Sequence, residues 1–132
     1  LGRLSEEIAE IAQIGRWELE VTGQREVGNV YWSPMVRRIL EVDEAYSASL
    51  TGGFEFYVGE SKQRIRDAVD SLVSEGIEFD EELLIMTNDG REKWIRCIGR
   101  CEEVGGKRTK VFGSFQDIHT MKSTRNQLEK IL

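Results

Sequence analysis

Few side chains here are suited to nucleophilic, metal or acid–base chemistry: two cysteines, one histidine and two short carboxylate runs in 132 residues. Cys97 and Cys101 stand four apart in Trp94-Ile-Arg-Cys-Ile-Gly-Arg-Cys101. On an extended strand their Cα atoms lie about 13 Å apart, whereas a disulfide closes over less than about 7 Å. They are read as reduced thiols facing one side of a sheet, as in a cytosolic protein. Two Cys and one His are too few for a structural zinc site. His119 stands alone near the end, so no Ser-His-Asp or Cys-His arrangement can be assembled; it is read as an exposed residue at a helix start. The runs Glu78–Glu82 and Glu41–Glu44 bring carboxylates together, but strand alternation sends Asp80 and Glu82 outward, as solvated surface. Gly52-Gly53 and Gly105-Gly106 read as turns without the helix N-terminus a phosphate site needs. The expectation is a chain with no catalysis and no metal of its own.

Composition narrows the partners. Eighteen basic and 24 acidic residues leave a net charge of −6, which disfavours nucleic acid and anionic membrane surfaces. Nothing in the sequence approaches 18 consecutive uncharged apolar residues, so no direct membrane contact is expected. The length suits one domain, and a start at Leu1-Gly2-Arg3 suggests a segment of a longer polypeptide.

The elements that must position these groups follow from periodicity. Leu1, Leu4, Ile8 and Ile11 repeat 3-4-3, a helical stripe, with Gly15 as its stop. Trp17, Leu19 and Val21 alternate with charged residues, a half-buried strand. A second strand spans Gly28 to Trp32. Ser33-Pro34 opens a helix by N-cap and N1 preferences, carrying Met35, Ile39 and Leu40. Residues 43–53 read as loop with short helical turns. Ser61 to Glu75 is an amphipathic helix stopped by Gly76. Three strands follow, at 79–87, 92–104 and 110–118, joined by Asn88-Asp89-Gly90 and Gly105-Gly106 as a meander. The tail carries Ile118, Met121, Arg125, Leu128 and Leu132 at helical spacing, with Arg125 a polar interruption. This predicts an α+β fold: a five-stranded antiparallel sheet with helices on one face, flanked by N- and C-terminal helices.

In order along the chain, Ile14-Gly15-Arg16-Trp17-Glu18-Leu19, Tyr31-Trp32-Ser33-Pro34, Phe79–Glu82, Asp89-Gly90, Trp94-Ile95, Gly113 and Asp117-Ile118 resemble PAS domains of the PAC-containing sensory type. Two departures stand out. Val58-Gly59-Glu60-Ser61 replaces the family's His-Pro-(Glu/Asp)-Asp, and His119 replaces the threonine of the closing Asp-Ile-Thr. The resemblance implies a flanking helix over 1–14, a sensor domain over 15–118 and a connector helix over 119–132.

It also implies a pocket between sheet and helices. Alternation then offers Trp32, Ile65, Val69, Leu72, Leu83, Ile85, Ile95, Cys97, Gly113 and Phe115 as its lining, a nearly all-apolar set. No Gly-x-Asn-Cys-Arg-Phe stretch for flavin is present, no helical His for haem, and no cation for a carboxylate ligand. No cofactor is expected; a packed core without ligand is favoured, with a small apolar ligand as the alternative. Asp117, Ile118 and His119 are assigned to signal transmission. Leu4, Ile8, Ile11, Met121, Leu128 and Leu132 are assigned to a connector or dimer seam. The functional expectation is a cytoplasmic, homodimeric sensory domain with its output domain in the same polypeptide, foremost a histidine kinase. The alternatives are a ligand-free dimerisation module, or a PAS domain of a cyclic-dinucleotide enzyme or transcription regulator.

Overall fold

Alternating apolar residues build the sheet, and their cross-strand partners set its order. The computed structural model describes residues 2–132, with side chains from Ser5 onward, so Leu1 and the Leu4 side chain lie outside the described residues. Helix α1 (Gly2–Ile11) leads into β1 (Ile14–Val21) and β2 (Val27–Trp32). Then come α2 (Pro34–Leu40), α3 (Leu50–Phe54) and α4 (Glu60–Glu75). The chain closes with β3 (Phe79–Met86), β4 (Glu92–Val104), β5 (Lys107–Asp117) and α5 (His119–Ile131). Pairing is antiparallel throughout, in the order β2-β1-β5-β4-β3. This is the α+β architecture that the periodicities predict, with β5 central.

The inward positions form the core. Trp17 and Leu19 of β1, Leu83 and Ile85 of β3, Ile95 and Cys97 of β4, and Val111 and Phe115 of β5 are all buried. Against them α2 places Val36, Ile39 and Leu40, and α4 places Ile65, Val69, Leu72 and Val73. On α4 these recur every three to four residues, the spacing of one helical face.

Single polar groups fix the helix ends. The Ser33 hydroxyl accepts the Arg16 N–H at 2.9 Å and the Val36 N–H at 3.5 Å, tying the start of α2 to β1. Gly59 precedes α4 without a side-chain cap, and the Ser61 hydroxyl instead accepts the Leu84 N–H at 3.0 Å. The family's motif is thus replaced here by a bond from helix to edge strand. At its other end α4 stops on Gly76 at φ 72°, where only a residue tolerant of left-handed backbone fits well. The Arg108 guanidinium donates to the carbonyls of Val73 and Ser74 at 3.0 and 2.9 Å, satisfying orphan carbonyls of the last turn.

Two expectations are corrected. Gly15 does not stop the first helix: Gln13 makes that turn at φ 55°, and Ile14 and Gly15 already belong to β1. A bare position is needed at 15 because a Cβ there would stand 2.7 Å from the Val36 nitrogen. The buried face of α2 includes Val36, with Met35 only half-buried. As expected, α2, α3 and α4 cover one face of the sheet; the flanking helix α5 returns across the outer face of β3 and β4, as its ion pairs show below.

Candidate functional site

Between the sheet and α2–α4 lies a partly open cavity of about 80 Å³. The strands supply Trp17, Leu19, Val30, Trp32, Cys97 and Phe115 to its wall, and α4 supplies Ile65 and Val69. The remaining wall comes from α2 and from the segment leading to α4, including Leu50, Gly53, Phe54 and Tyr57. No charged side chain lines it among the described residues.

Of the ten pocket residues expected from alternation, Trp32, Ile65, Val69, Cys97 and Phe115 line this cavity. Leu72, Leu83, Ile85 and Ile95 are fully buried in close-packed core, beyond the cavity's reach. Gly113 faces inward but is covered. It pairs with Trp17 on one side and Gly99 on the other, and the Trp17 ring lies 3.1 Å from where its Cβ would be. Phe79 occupies the equivalent space over Gly99, and the two rings stack at 6.4 Å between centroids. The paired glycines therefore give room to aromatic rings, which close that end of the cavity.

The loop with short helical turns expected over 43–53 is present around α3, but its share of the cavity wall escapes the sequence reading because a five-residue helix has no periodicity to assign a face. The aromatic run Phe54-Glu-Phe-Tyr57 is the one signal that marks it. Tyr57 is held by a bridge to Ile85 of the edge strand. Around it, Trp32 stacks on Tyr46 at 5.7 Å and meets Phe56 edge-on at 6.3 Å. Arg37 donates to the carbonyls of Asp43 and Tyr46 at 3.0 and 2.7 Å, pinning the loop.

Cys97 and Tyr57 are the buried titratable groups of the cavity. Burial pushes the Cys97 thiol up to about 12, against smaller lowering contacts from Tyr57 and Trp17. Burial, then the neighbouring thiol, also pushes the Tyr57 hydroxyl well above its usual value. Both groups keep their protons. A thiol whose folded value lies above its unfolded one, near 8.5, contributes stability that is fully present below pH 8.5. That contribution is lost as pH rises toward 12. Treatment of the native chain with a thiol-specific disulfide reagent at pH 8 is expected to label Cys101 alone, and both cysteines after denaturation. Equal native rates at the two would contradict the placement of Cys97. Cys101 differs because it is only half-buried, its thiol directed to the Gly76 carbonyl at 3.7 Å.

Strands β4 and β5 run from the cavity to the start of α5. Cys97 pairs with Phe115, and Ile95 with Asp117. One residue further, both backbone groups of Trp94 are engaged. Its carbonyl accepts the Ile118 N–H at 3.0 Å, and its N–H donates to His119 Nδ1 at 3.2 Å. Asp117 accepts the His119 N–H at 2.9 Å and pairs with Lys93 at 3.0 Å. His119 is therefore not the exposed residue expected but a half-buried part of this joint, and Ile118 is core. The imidazole supplies the side-chain contact at the position of the family's threonine.

Glu82 and Arg125 are corrected too. Glu82 receives Lys122 at 2.9 Å and Arg125 at 3.2 Å, and those two contacts, Lys122 first, hold its carboxyl below the usual range. Lys122 also lies 4.9 Å from the Trp94 ring centroid. Arg125 does not interrupt a seam; it fastens α5 to β3. Nor do the other acidic residues form a reactive pair: Asp80 is matched with Arg96 and Glu41 with Arg91. Among the stripe residues, Ile8, Ile11, Met121, Leu128 and Leu132 are exposed, and Ile11 and Met121 border one groove beside Asp117. No described helix is long and apolar enough to cross a membrane.

Comparison with known proteins agrees with this geometry. No curated protein matches the sequence. A solved chain from a sensory box histidine kinase/response regulator of Burkholderia thailandensis E264 superposes with a TM-score of 0.73 at 19% identity, over 95% of this chain and 92% of that one. The N-terminal domain of a diguanylate cyclase with PAS/PAC sensor from Marinobacter aquaeolei gives 0.69 at 14% identity, over 83% and 98%. A domain of a putative light and redox sensing histidine kinase from Haloarcula marismortui gives 0.63 at 20% identity, over 88% and 98%. At such identities the likeness is one of fold. The profile of the PAS fold matches residues 29–114 directly, most of the chain and, Phe115 apart, the cavity wall from Val30 onward, and the chain belongs to the PAS fold family.

Proposed function

We propose that this PAS domain reads the state of its cavity and passes it through Asp117, Ile118 and His119 into α5, for an output domain in the same polypeptide. A histidine kinase is the favoured output, in keeping with two of the structural relatives named above. The PAS fold itself is a non-catalytic sensory module. The observation that carries the relay is the shared pair of strands: Cys97 and Phe115 line the cavity, and the same two strands hold the first residues of α5 through Trp94 and Asp117. A bound molecule acts by favouring one packing of this joint over another, and shifts it only as far as its affinities for the two differ. The exposed Met121, Leu128 and Leu132 suit helix pairing in a homodimer, and a cytoplasmic location fits the two free thiols.

The test is to occupy the cavity with a side chain. Cys97→Leu adds bulk to the wall opposite Phe115. With cooperative melting retained, amide hydrogen exchange at residues 119–123 is expected to change at least threefold. Exchange there that matches the parent chain contradicts the relay.

A further inference from the structure

The cavity wall carries more chemical information than its apolar character alone. Its volume of about 80 Å³ compares with the roughly 10–15 Å³ that admits one water, which is room for one small ring. Five of the lining side chains are aromatic: Trp17, Trp32, Phe54, Tyr57 and Phe115. Aromatic pairs gain from edge-to-face and offset contacts beyond simple burial, so a flat ring is preferred over a saturated one. An ion would lose its hydration with no counter-charge in the wall to replace it.

The polar groups reduce to one anchor. The Ser49 hydroxyl accepts the Gly52 N–H at 3.0 Å, and the Trp17 indole donates to the Ser114 carbonyl at 3.2 Å. The Cys97 thiol is a weak partner. Tyr57 is 7% exposed, and its hydroxyl has that thiol as its only polar neighbour among the described residues. With one donor and two acceptor positions, that hydroxyl keeps capacity for a further partner beside the thiol.

We propose that the cavity binds a small, neutral, single-ring aromatic molecule bearing one hydroxyl or amino group, its ring among these aromatic side chains and its polar group on the Tyr57 hydroxyl. The inference rests on the sensing function proposed above and adds the class of ligand. Neither the fold nor strand alternation points to Tyr57, which comes from the irregular segment before α4.

Phenol is the probe, titrated into the whole chain, with toluene, cyclohexanol and benzoate as comparisons. Native mass spectrometry gives the stoichiometry, and the fluorescence of Trp17 and Trp32 follows binding. One phenol per chain is expected, at least tenfold tighter than cyclohexanol or benzoate. Tyr57→Phe should weaken phenol about fivefold to tenfold and leave toluene within twofold, as loss of one hydrogen bond predicts. Cyclohexanol or benzoate binding as well as phenol overturns the ligand class, and so does phenol binding unchanged by Tyr57→Phe. The comparison of four probes on the parent chain decides the class even if the variant does not fold. Amide exchange at 119–123 separates the two proposals: phenol binding with no response there supports the ligand class and contradicts the relay. No phenol binding, with a response to Cys97→Leu, supports the relay and overturns the ligand class.

Discussion

Gly113→Ala is expected to lower the melting temperature by about 10 °C, the response to a loss of about 3 kcal/mol in a domain of this size. A Cβ at 113 would overlap the carbonyl oxygen of Ile98 in the neighbouring strand and stand 3.1 Å from the Trp17 ring. The first obstacle is backbone in mid-sheet, which can move only by breaking the β4–β5 ladder. The second closes one end of the cavity. Gly105→Ala is the control: that residue lies in an open turn with φ 60° and nothing within 4 Å, so its cost is the backbone preference alone, about 1 kcal/mol. Thermal melts followed by near-UV circular dichroism, sensitive to Trp17, measure both. If Gly113→Ala melts within 3 °C of the parent, the glycine is not needed for strand contact.

Asp117→Ala is expected to loosen the start of α5 while the sheet stays intact. Asp117 and Lys93 have side chains only 11% and 20% exposed, so removing the carboxylate strands a cation in a poorly hydrated site. Fully buried pairs lose roughly 3–5 kcal/mol when broken in this way; partial solvation here reduces that to about 2 kcal/mol. The His119 N–H loses its acceptor as well. Amide exchange at residues 119–123 should rise at least tenfold, with little change at Ile95 and Cys97. Adding Lys93→Met should restore part of the stability, because the stranded charge is then gone. Unchanged exchange at the first turn of α5 would remove Asp117 from the joint.

What the residues reveal before folding depends on whether a feature is local. The strands around Trp17 and Leu19, the Ser33-Pro34 helix start and the face of α4 are set by spacing or capping within a few residues, and all are legible. The side of the sheet on which Gly113 lies is legible for the same reason. That it sits beneath Trp17 is not, since this depends on register between strands almost a hundred residues apart. The wall formed by Leu50, Phe54 and Tyr57 has no period to read. Glu82 looks like solvated surface because alternation reports which side of a sheet a residue faces, and nothing about a helix that later returns to cover it.

That return gives α5 the mechanics of a lever. The helix is held at His119 by Trp94 of β4 and at Arg125 by Glu82 of β3, six residues and about 9 Å apart at 1.5 Å per residue. Its far end at Leu132 lies about 20 Å from the first support. A slip of β3 against β4 by about 1 Å would tilt the helix by roughly 6° and carry Leu132 through about 2 Å, doubling the input. The pairing of Glu82 on β3 with Lys122 and Arg125 on α5 thus sets the gain of the device, and holding the helix at Lys122 alone, one turn nearer His119, would raise it.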